Sequence, residues 1–301
     1  MKLQKDKLRY SVVHGMAPFF HHAVVELIKK VEHLVIGFDE SLNHIAQKQQ
    51  MDAHVRLWDH EKNEVTTRYY SSVFLSSSKA VDLKNGLKEI FGEFMIKLLQ
   101  FSMDGPNVNK KTQDLVNIEL SQDRANNSEI VEIGTCGLHT VHGSFKDGVK
   151  ATGWNLNEYL NYLHHLFHGA TTRRGQYSKI TGSDMFPFEF YGIRWIENSK
   201  VIIRSRDMLP YLKEWITVIE KDVKNPLHAN KNFRTVSSNV KDELMPAKLS
   251  FCASVAAMME PFLTEFQSDA PMAPFLYKEL ERMARTIMRR FVKREILEKI
   301  S

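Results

Sequence analysis

Hydrophobic residues change their spacing several times along the chain, and each change marks an expected element. Over residues 18–31 (PFFHHAVVELIKKV) apolar positions recur at helical spacing. Residues 32–38 then form a short apolar run, a strand expected to stop on Asp39. In MDAHVRLWD (51–59), Ala53, Val55 and Leu57 alternate with His54, Arg56 and Trp58, the period of a half-buried strand. EVTTRYYSSVFL (64–75) is rich in β-branched and aromatic residues, and DHEKN between the two supplies a turn. Three consecutive antiparallel strands are the result.

Alternation with helices follows. SKAVDLKNGLKEIFGEFMIKL (78–98) predicts a helix with Ser78 as N-cap and Val81, Leu83, Leu87, Ile90, Phe91 and Phe94 on its buried face. LLQFSMD (98–104) is a fourth strand, again ending on an aspartate, and residues 109–122 are helical. EIVEIGTCG (129–137) reads as a fifth strand. Amphipathic helices are expected at 155–168, 199–221, 246–266 and 275–300, while the polar stretch 221–248 reads as a loop excursion. The order, three antiparallel strands then β-α-β-α-β, fits an α/β fold with a mixed five-stranded sheet of the ribonuclease H-like kind. A C-terminal all-helical subdomain completes it. The expected division is a helical lead-in at 1–31, a core at 32–198 and a helical subdomain at 199–301.

Composition changes this picture little. The 301 residues carry a formal charge of +5 and a pI near 9.0, which permits a polyanionic partner without requiring one. Two cysteines, Cys136 and Cys252, make no disulfide framework. No apolar run reaches spanning length and MKLQKDKLRY is no secretory leader, so the expectation is an intracellular protein, nuclear or cytoplasmic, without a membrane partner. A Gly-rich phosphate loop and a G-x-S-x-G elbow are both missing, and no small-molecule substrate is evident.

The candidate chemistry lies in the acids. In a ribonuclease H-like topology the first and fourth strands are neighbours, which brings Asp39 and Asp104 together. Two adjacent carboxylates repel unless a cation lies between them, and hard oxygen ligands suit Mg²⁺ or Mn²⁺. Singly, each aspartate reads first as a turn residue, in FDESLN and in MDGPN. Together they read as a metal site, present or ancestral. A third acid is not identified: Glu279, Glu281, Glu295 and Glu298 all read as solvated helix positions.

At this point the chain resembles a known family. GFDESLNHIAQKQQMDAHVRLWD, LLQFSMDGPNVNKKTQDLVNIEL, IGTCGLHTVHGSFKDG and FYGIRWIENSKVIIRSRDMLPYLKEW resemble, in order, blocks of the hAT-superfamily transposases and proteins derived from them. The resemblance spans roughly residues 15–300. It maps the family's first acid to Asp39 with Ser41, its second to Asp104 with Gly105, its C-x-x-H motif to Cys136 and His139, and its Arg-Trp pair to Arg194 and Trp195. It implies metal-dependent cleavage and transfer of DNA strands. The family's late glutamate and its N-terminal zinc finger have no match in these residues. The expectation is therefore a core with part of a helical insertion, incomplete or inactive alone. The alternative is an inactive descendant serving as a protein or nonspecific nucleic-acid interaction module.

Other clusters are weaker. Cys136, His139 and His142 have no second Cys/His cluster to complete a zinc site, and no structural zinc is expected. By resemblance, Cys136 and His139 help to organise the site or touch DNA. His164 and His168 stand one helical turn apart, read as solvent-facing. Arg173 and Arg174, in an expected loop TTRRGQY, are phosphate-contact candidates, as is Arg194, while Trp195 is an expected core anchor. The basic face of the last helix, with Arg285, Arg289 and Lys293, reads first as a solvated surface. DNA and a second copy of the chain are the expected partners.

Overall fold

The computed structural model describes residues 4–123, 129–134, 136–192, 194–268 and 270–297. Helix α1 (Lys5–Ser11), a π-helical turn (Val12–Met16) and α2 (Ala17–Lys29) lead into the sheet. Strands β1 (Leu34–Asn43), β2 (Lys48–Asp59), β3 (Glu64–Leu75) and β4 (Leu98–Ser102) form one open mixed sheet in the order β3-β2-β1-β4. β1–β2 and β2–β3 pair antiparallel, and β1–β4 pair parallel. Between β3 and β4 lie α3 (Ala80–Phe91) and a 3₁₀ segment (Gly92–Lys97), and α4 (Asn107–Asp123) follows β4.

The alternation along β2 holds: Ala53, Val55 and Leu57 are buried, while His54 and Arg56 are half-buried and Trp58 is exposed. The buried face joins Val24 and Ile28 of α2, Leu83, Leu87 and Phe91 of α3, and Val116 and Leu120 of α4 in one core. α3 lies so close to the sheet that a Cβ on Gly86 would meet Leu75, Met51 and Val73 side-chain atoms at 3.0 Å each. Only glycine permits that approach.

Several boundaries differ from expectation. β1 does not stop at Asp39 but runs to Asn43, because the β1–β2 hairpin turns at His44–Gln47 and keeps Asp39 paired with Asp52. Ser78 is not the cap of α3; Lys79 holds that position without a side-chain hydrogen bond, and Val81 is exposed. α3 ends at Gly92, whose φ of +49° breaks the helix. The fifth strand is not formed in the described part of 129–137. Two backbone hydrogen bonds run from this segment to β4 and its end, Val131 N–H to Leu99 O (2.8 Å) and Cys136 N–H to Met103 O (3.2 Å). Two bonds five residues apart hold a chain beside a strand without making a ladder.

The second compact unit is helical. Its elements are α5 (Gly137–Ala151), α6 (Leu156–Phe167), α7 (Thr171–Thr181), α8 (Ser199–Lys221), α9 (Lys231–Val240), α10 (Met245–Phe266), α11 (Leu276–Phe291) and α12 (Arg294–Leu297). The units comprise Met1–Gly137 with Asp269–Pro271, and Leu138–Ser268 with Met272–Ser301. The helical unit thus takes in residues 138–198, which the sequence boundary at 198 placed with the core. The reason is packing: Val141, Phe145 and Val149 of α5 share a core with Trp195 and with α8.

The stretch 221–248 is not a loop. Asn230 caps α9 by accepting from Phe233 N–H, and Phe233, Val236 and Val240 bury one face of it. TTRRGQY is likewise helical, as the start of α7. No described helix is long and apolar enough to cross a membrane.

Candidate functional site

Strand pairing decides where the acids go. Parallel register pairs Ile36 with Phe101 and Gly37 with Ser102. Asp39 lies two residues beyond Gly37 on β1 and Asp104 two residues beyond Ser102, just past the end of β4, and the charges of both bear on Glu40. Asp39 is exposed, and its Oδ1 accepts from the Glu40 N–H at 3.0 Å. Asp104 is half-buried just past the end of β4, where it accepts from Asn109 Nδ2 at 2.5 Å.

Two neighbours went unrecognised in the sequence. Glu40 follows Asp39 and is half-buried. Burial pushes its carboxyl pKa up; a hydrogen bond from Ser78 opposes this, and the charges of Asp104 and Asp39 push it further up. Asn109 is buried, and its Oδ1 has no hydrogen-bond partner. The Asn109 Oδ1 beside Asp104 is a hard oxygen of the kind that binds a cation or its water, and burial, with the charges of Asp104 and Asp39 behind it, biases the nearby Glu40 carboxyl toward protonation. Asp52, directly across from Asp39, is less available: Gln50 Nε2 and Ser72 Oγ both donate to it at 2.6 Å. Among the described residues no three His, Cys, Asp or Glu side chains come together closely enough to hold an ion. An ion here would be held by Asp39 and Asp104 with solvent or phosphate oxygens filling the rest, the usual habit of Mg²⁺.

The remaining candidates divide. Ser41 is exposed two residues beyond Asp39 on β1. Cys136 is brought close through its backbone, since its N–H bonds to the carbonyl of Met103, the residue before Asp104. His139 is exposed on α5. Arg173 donates to the Leu166 carbonyl at the end of α6, and the Arg174 guanidinium sits 3.9 Å over the Phe186 ring. Both arginines have structural partners. Arg194 is exposed before the short 3₁₀ turn at Ile196–Asn198, 3.7 Å from Glu197. Trp195 is a core anchor as expected, packed on Phe145 and Phe190. Glu279 and Glu281 pair with Arg282 and Arg285, and Glu298 lies outside the described residues.

His142 acts as a bolt within the helical unit. It is buried, its Nδ1 accepts from Ile196 N–H at 3.3 Å, and its Nε2 lies 3.8 Å from Glu197. Burial lowers its pKa; Glu197 opposes this, while His139 and Arg194 add to it. The folded state thus favours neutral imidazole, and the unfolded chain binds the extra proton first. The stabilisation is present above the ordinary value of 6.5 and is lost as pH falls through the depressed folded value. Urea midpoints at pH 7.5 and 5.5 should therefore diverge in the wild type and converge in His142→Ala. Equal pH slopes in both proteins would remove the histidine from this role.

Glu40 carried no readable sequence signal because strand alternation sets it on the face of Phe38, where an apolar residue is expected. Asn109 was legible only as the first residue of a helix. No protein-family model and no curated protein sequence matches the chain.

Proposed function

We propose that the chain carries a ribonuclease H-like core of transposon origin, related to the hAT transposases, that acts on DNA through divalent ions bound by Asp39 and Asp104. One observation carries this reading: Asp39 on β1, and Asp104 just past the end of the adjacent parallel strand β4, both bear on the carboxyl of Glu40. The backbone hydrogen bonds from Val131 to Leu99 and from Cys136 to Met103, which hold the chain beside β4, are compatible with this reading. Bound there, Mg²⁺ or Mn²⁺ would supply an activated water or hydroxyl and stabilise the leaving oxygen of a phosphodiester. Asp39 and Asp104 would bind the ion, Asn109 orients Asp104, and burial together with the charges of Asp104 and Asp39 raises the Glu40 pKa, a bias that a bound cation would oppose. DNA is the proposed substrate, in the nucleus or wherever DNA is reached.

A second reading, a catalytically silent descendant used as an interaction module, draws support from Arg173 and Arg174. Arg173 is engaged by the Leu166 carbonyl, and the exposed Arg174 guanidinium lies over the Phe186 ring.

Thermal stability across a Mn²⁺ titration separates the two. A ligand that binds only the folded state stabilises it by about 2.7 kcal/mol at a hundredfold excess over its dissociation constant. The wild type should gain several degrees, and Asp39→Asn and Asp104→Asn should start higher, relieved of repulsion, and respond little. Glu40→Gln should also start higher at pH 7. A folded-state pKa raised above 4.5 means stability is lost as pH rises through that window, and glutamine escapes the loss. A wild type indifferent to Mn²⁺, both alone and with a DNA duplex present, would leave the interaction module as the function.

A further inference from the structure

One face of the sheet is buried against α2, α3 and α4. The other carries aromatic rings. Across β2 and β3, Trp58 pairs with Val65, His54 with Tyr69 and Gln50 with Phe74, and these positions alternate with the buried Ala53, Val55 and Leu57. Trp58 is 42 % exposed, Tyr69 54 % and Phe74 51 %. Tyr69 and Phe74 are five residues apart, an odd spacing that a regular strand sends to opposite faces. The irregularity opposite Ala53 and His54 inserts Tyr70 between the pairs and brings both rings to the open side. Re-aiming a side chain is what such bulges do.

We infer that this face is a stacking platform for an unpaired DNA strand, with Trp58, Tyr69 and Phe74 as the rings on which bases lie. The inference rests on the DNA reading above and narrows its substrate to a single-stranded form. The three rings stand on rungs four residues apart along β2, so roughly 13 Å separates neighbours and roughly 26 Å the outer pair. Stacked nucleotides rise about 3.4 Å each, which gives room for about eight, or fewer in a stretched strand. That is within the roughly 4–16 nucleotides that one sheet-based single-strand module covers. Asp39 pairs with Asp52 and lies on the side of β1 opposite the buried Ile36 and Phe38. A strand laid on the rings therefore runs past the candidate cation site.

The character of the face favours this occupant. Polar rungs, Arg56 with Thr67 and Asp52 with Ser72, separate the rings, so they form no contiguous apolar patch of the kind a protein partner buries. Separate rings suit bases, which present one π-face at a time, whereas a duplex hides those faces in its own stack. The Lys48 ammonium lies 5.8 Å from the Phe74 ring centre. The Arg56 guanidinium, which donates to Thr67 and to the Ala270 carbonyl, adds a second positive charge between Trp58 and Tyr69. Asp39 and Asp52 oppose phosphate on the same face, so stacking rather than charge carries the affinity.

The test uses the full chain in EDTA, so that it does not depend on the ion. Fluorescence anisotropy should show a labelled oligothymidylate of about twenty nucleotides binding at least about tenfold tighter than a duplex of that length. Stacking should quench Trp58, the exposed one of the four tryptophans. Trp58→Ala, Tyr69→Ala and Phe74→Ala should each weaken binding roughly 5- to 150-fold. Trp58→Phe keeps a π-face and should retain most of it, which separates lost stacking from a damaged sheet. Tyr277→Ala, at an 80 % exposed ring of the helical unit, should change nothing. Two cations predict a shallow slope of log K against log salt, about −1.4. Alanine variants that bind as the wild type does, a duplex bound equally well, or a slope beyond about −4 would each overturn the inference in favour of phosphate contacts alone. An oligouridylate bound at least about tenfold tighter would overturn the assignment to DNA. No single-strand binding at about 100 µM would leave the face to a protein partner. A Mn²⁺ response that survives such a result would keep the cation site and discard only the platform.

Discussion

Trp215→Ala should lower the stability of the helical unit by about 3–5 kcal/mol. Trp215 is fully buried in α8, ringed by Phe167 of α6 at 5.4 Å, Tyr177 of α7 at 6.0 Å and Phe233 of α9 at 5.6 Å between centroids. It is the point where α6, α7 and α9 all meet α8. Its Nε1 is buried without a hydrogen-bond partner, so truncation removes packing and no hydrogen bond. Four elements cannot all close on the hole left behind, and the cavity term should be felt nearly in full. For a unit of this size the loss corresponds to roughly 8–15 °C in Tm. Trp215→Phe keeps most of the volume and should recover more than half of it. A Tm within a couple of degrees of wild type for the alanine variant would mean that the cluster relaxes around the vacancy.

Lys97→Met should cost the sheet unit about 2–3 kcal/mol, the second largest single effect. The Lys97 ammonium donates to three carbonyls, Ile28 at 2.9 Å, Lys29 at 3.2 Å and Val31 at 2.8 Å. These are the free carbonyls at the C-terminus of α2 and in the link to β1, where the helix dipole adds to the attraction. Methionine keeps the aliphatic stem and removes the charge, which isolates the capping effect. Lys97 immediately precedes β4, and Val31 lies shortly before β1, so the ammonium clamps the entrances of the two parallel strands. Their pairing is what brings the end of β4, with Asp104 just past it, beside the strand that carries Asp39. Amide exchange should therefore quicken at 98–102 and 34–37 together, and any Mn²⁺ response should weaken with it. An unaltered urea midpoint would show that water caps these carbonyls just as well.

Much of the architecture was legible in local pattern. The alternation of β2, the β-branched run of β3, and the limits of α6, α8 and α10 follow from periodicity, because one buried face imposes it. Where the pattern was misread, a specific residue explains why. Residues 221–248 look polar, yet Asn225 and Asn230 are caps, and Phe233, Val236 and Val240 at helical spacing were the signal to follow. TTRRGQY looks like a loop because its polar residues lie outward around one buried side chain, Tyr177. The expected end of β1 at Asp39 failed because a hairpin turn, four residues further on, set the length of the strand instead.

By itself, the sequence determined β2, β3 and the helices with one clear apolar face, the interior place of β1, and the two aspartates worth bringing together. Tertiary structure decided the rest. Only the parallel pairing of β1 with β4 brings the end of β4, with Asp104 just past it, beside the strand that carries Asp39, only the fold half-buries Glu40, and only the fold supplies the carbonyl and the ring that engage Arg173 and Arg174. The physical reason is separation. Periodicity reports which face of an element is buried over a few residues, whereas register, desolvation and side-chain partnership arise between residues tens of positions apart.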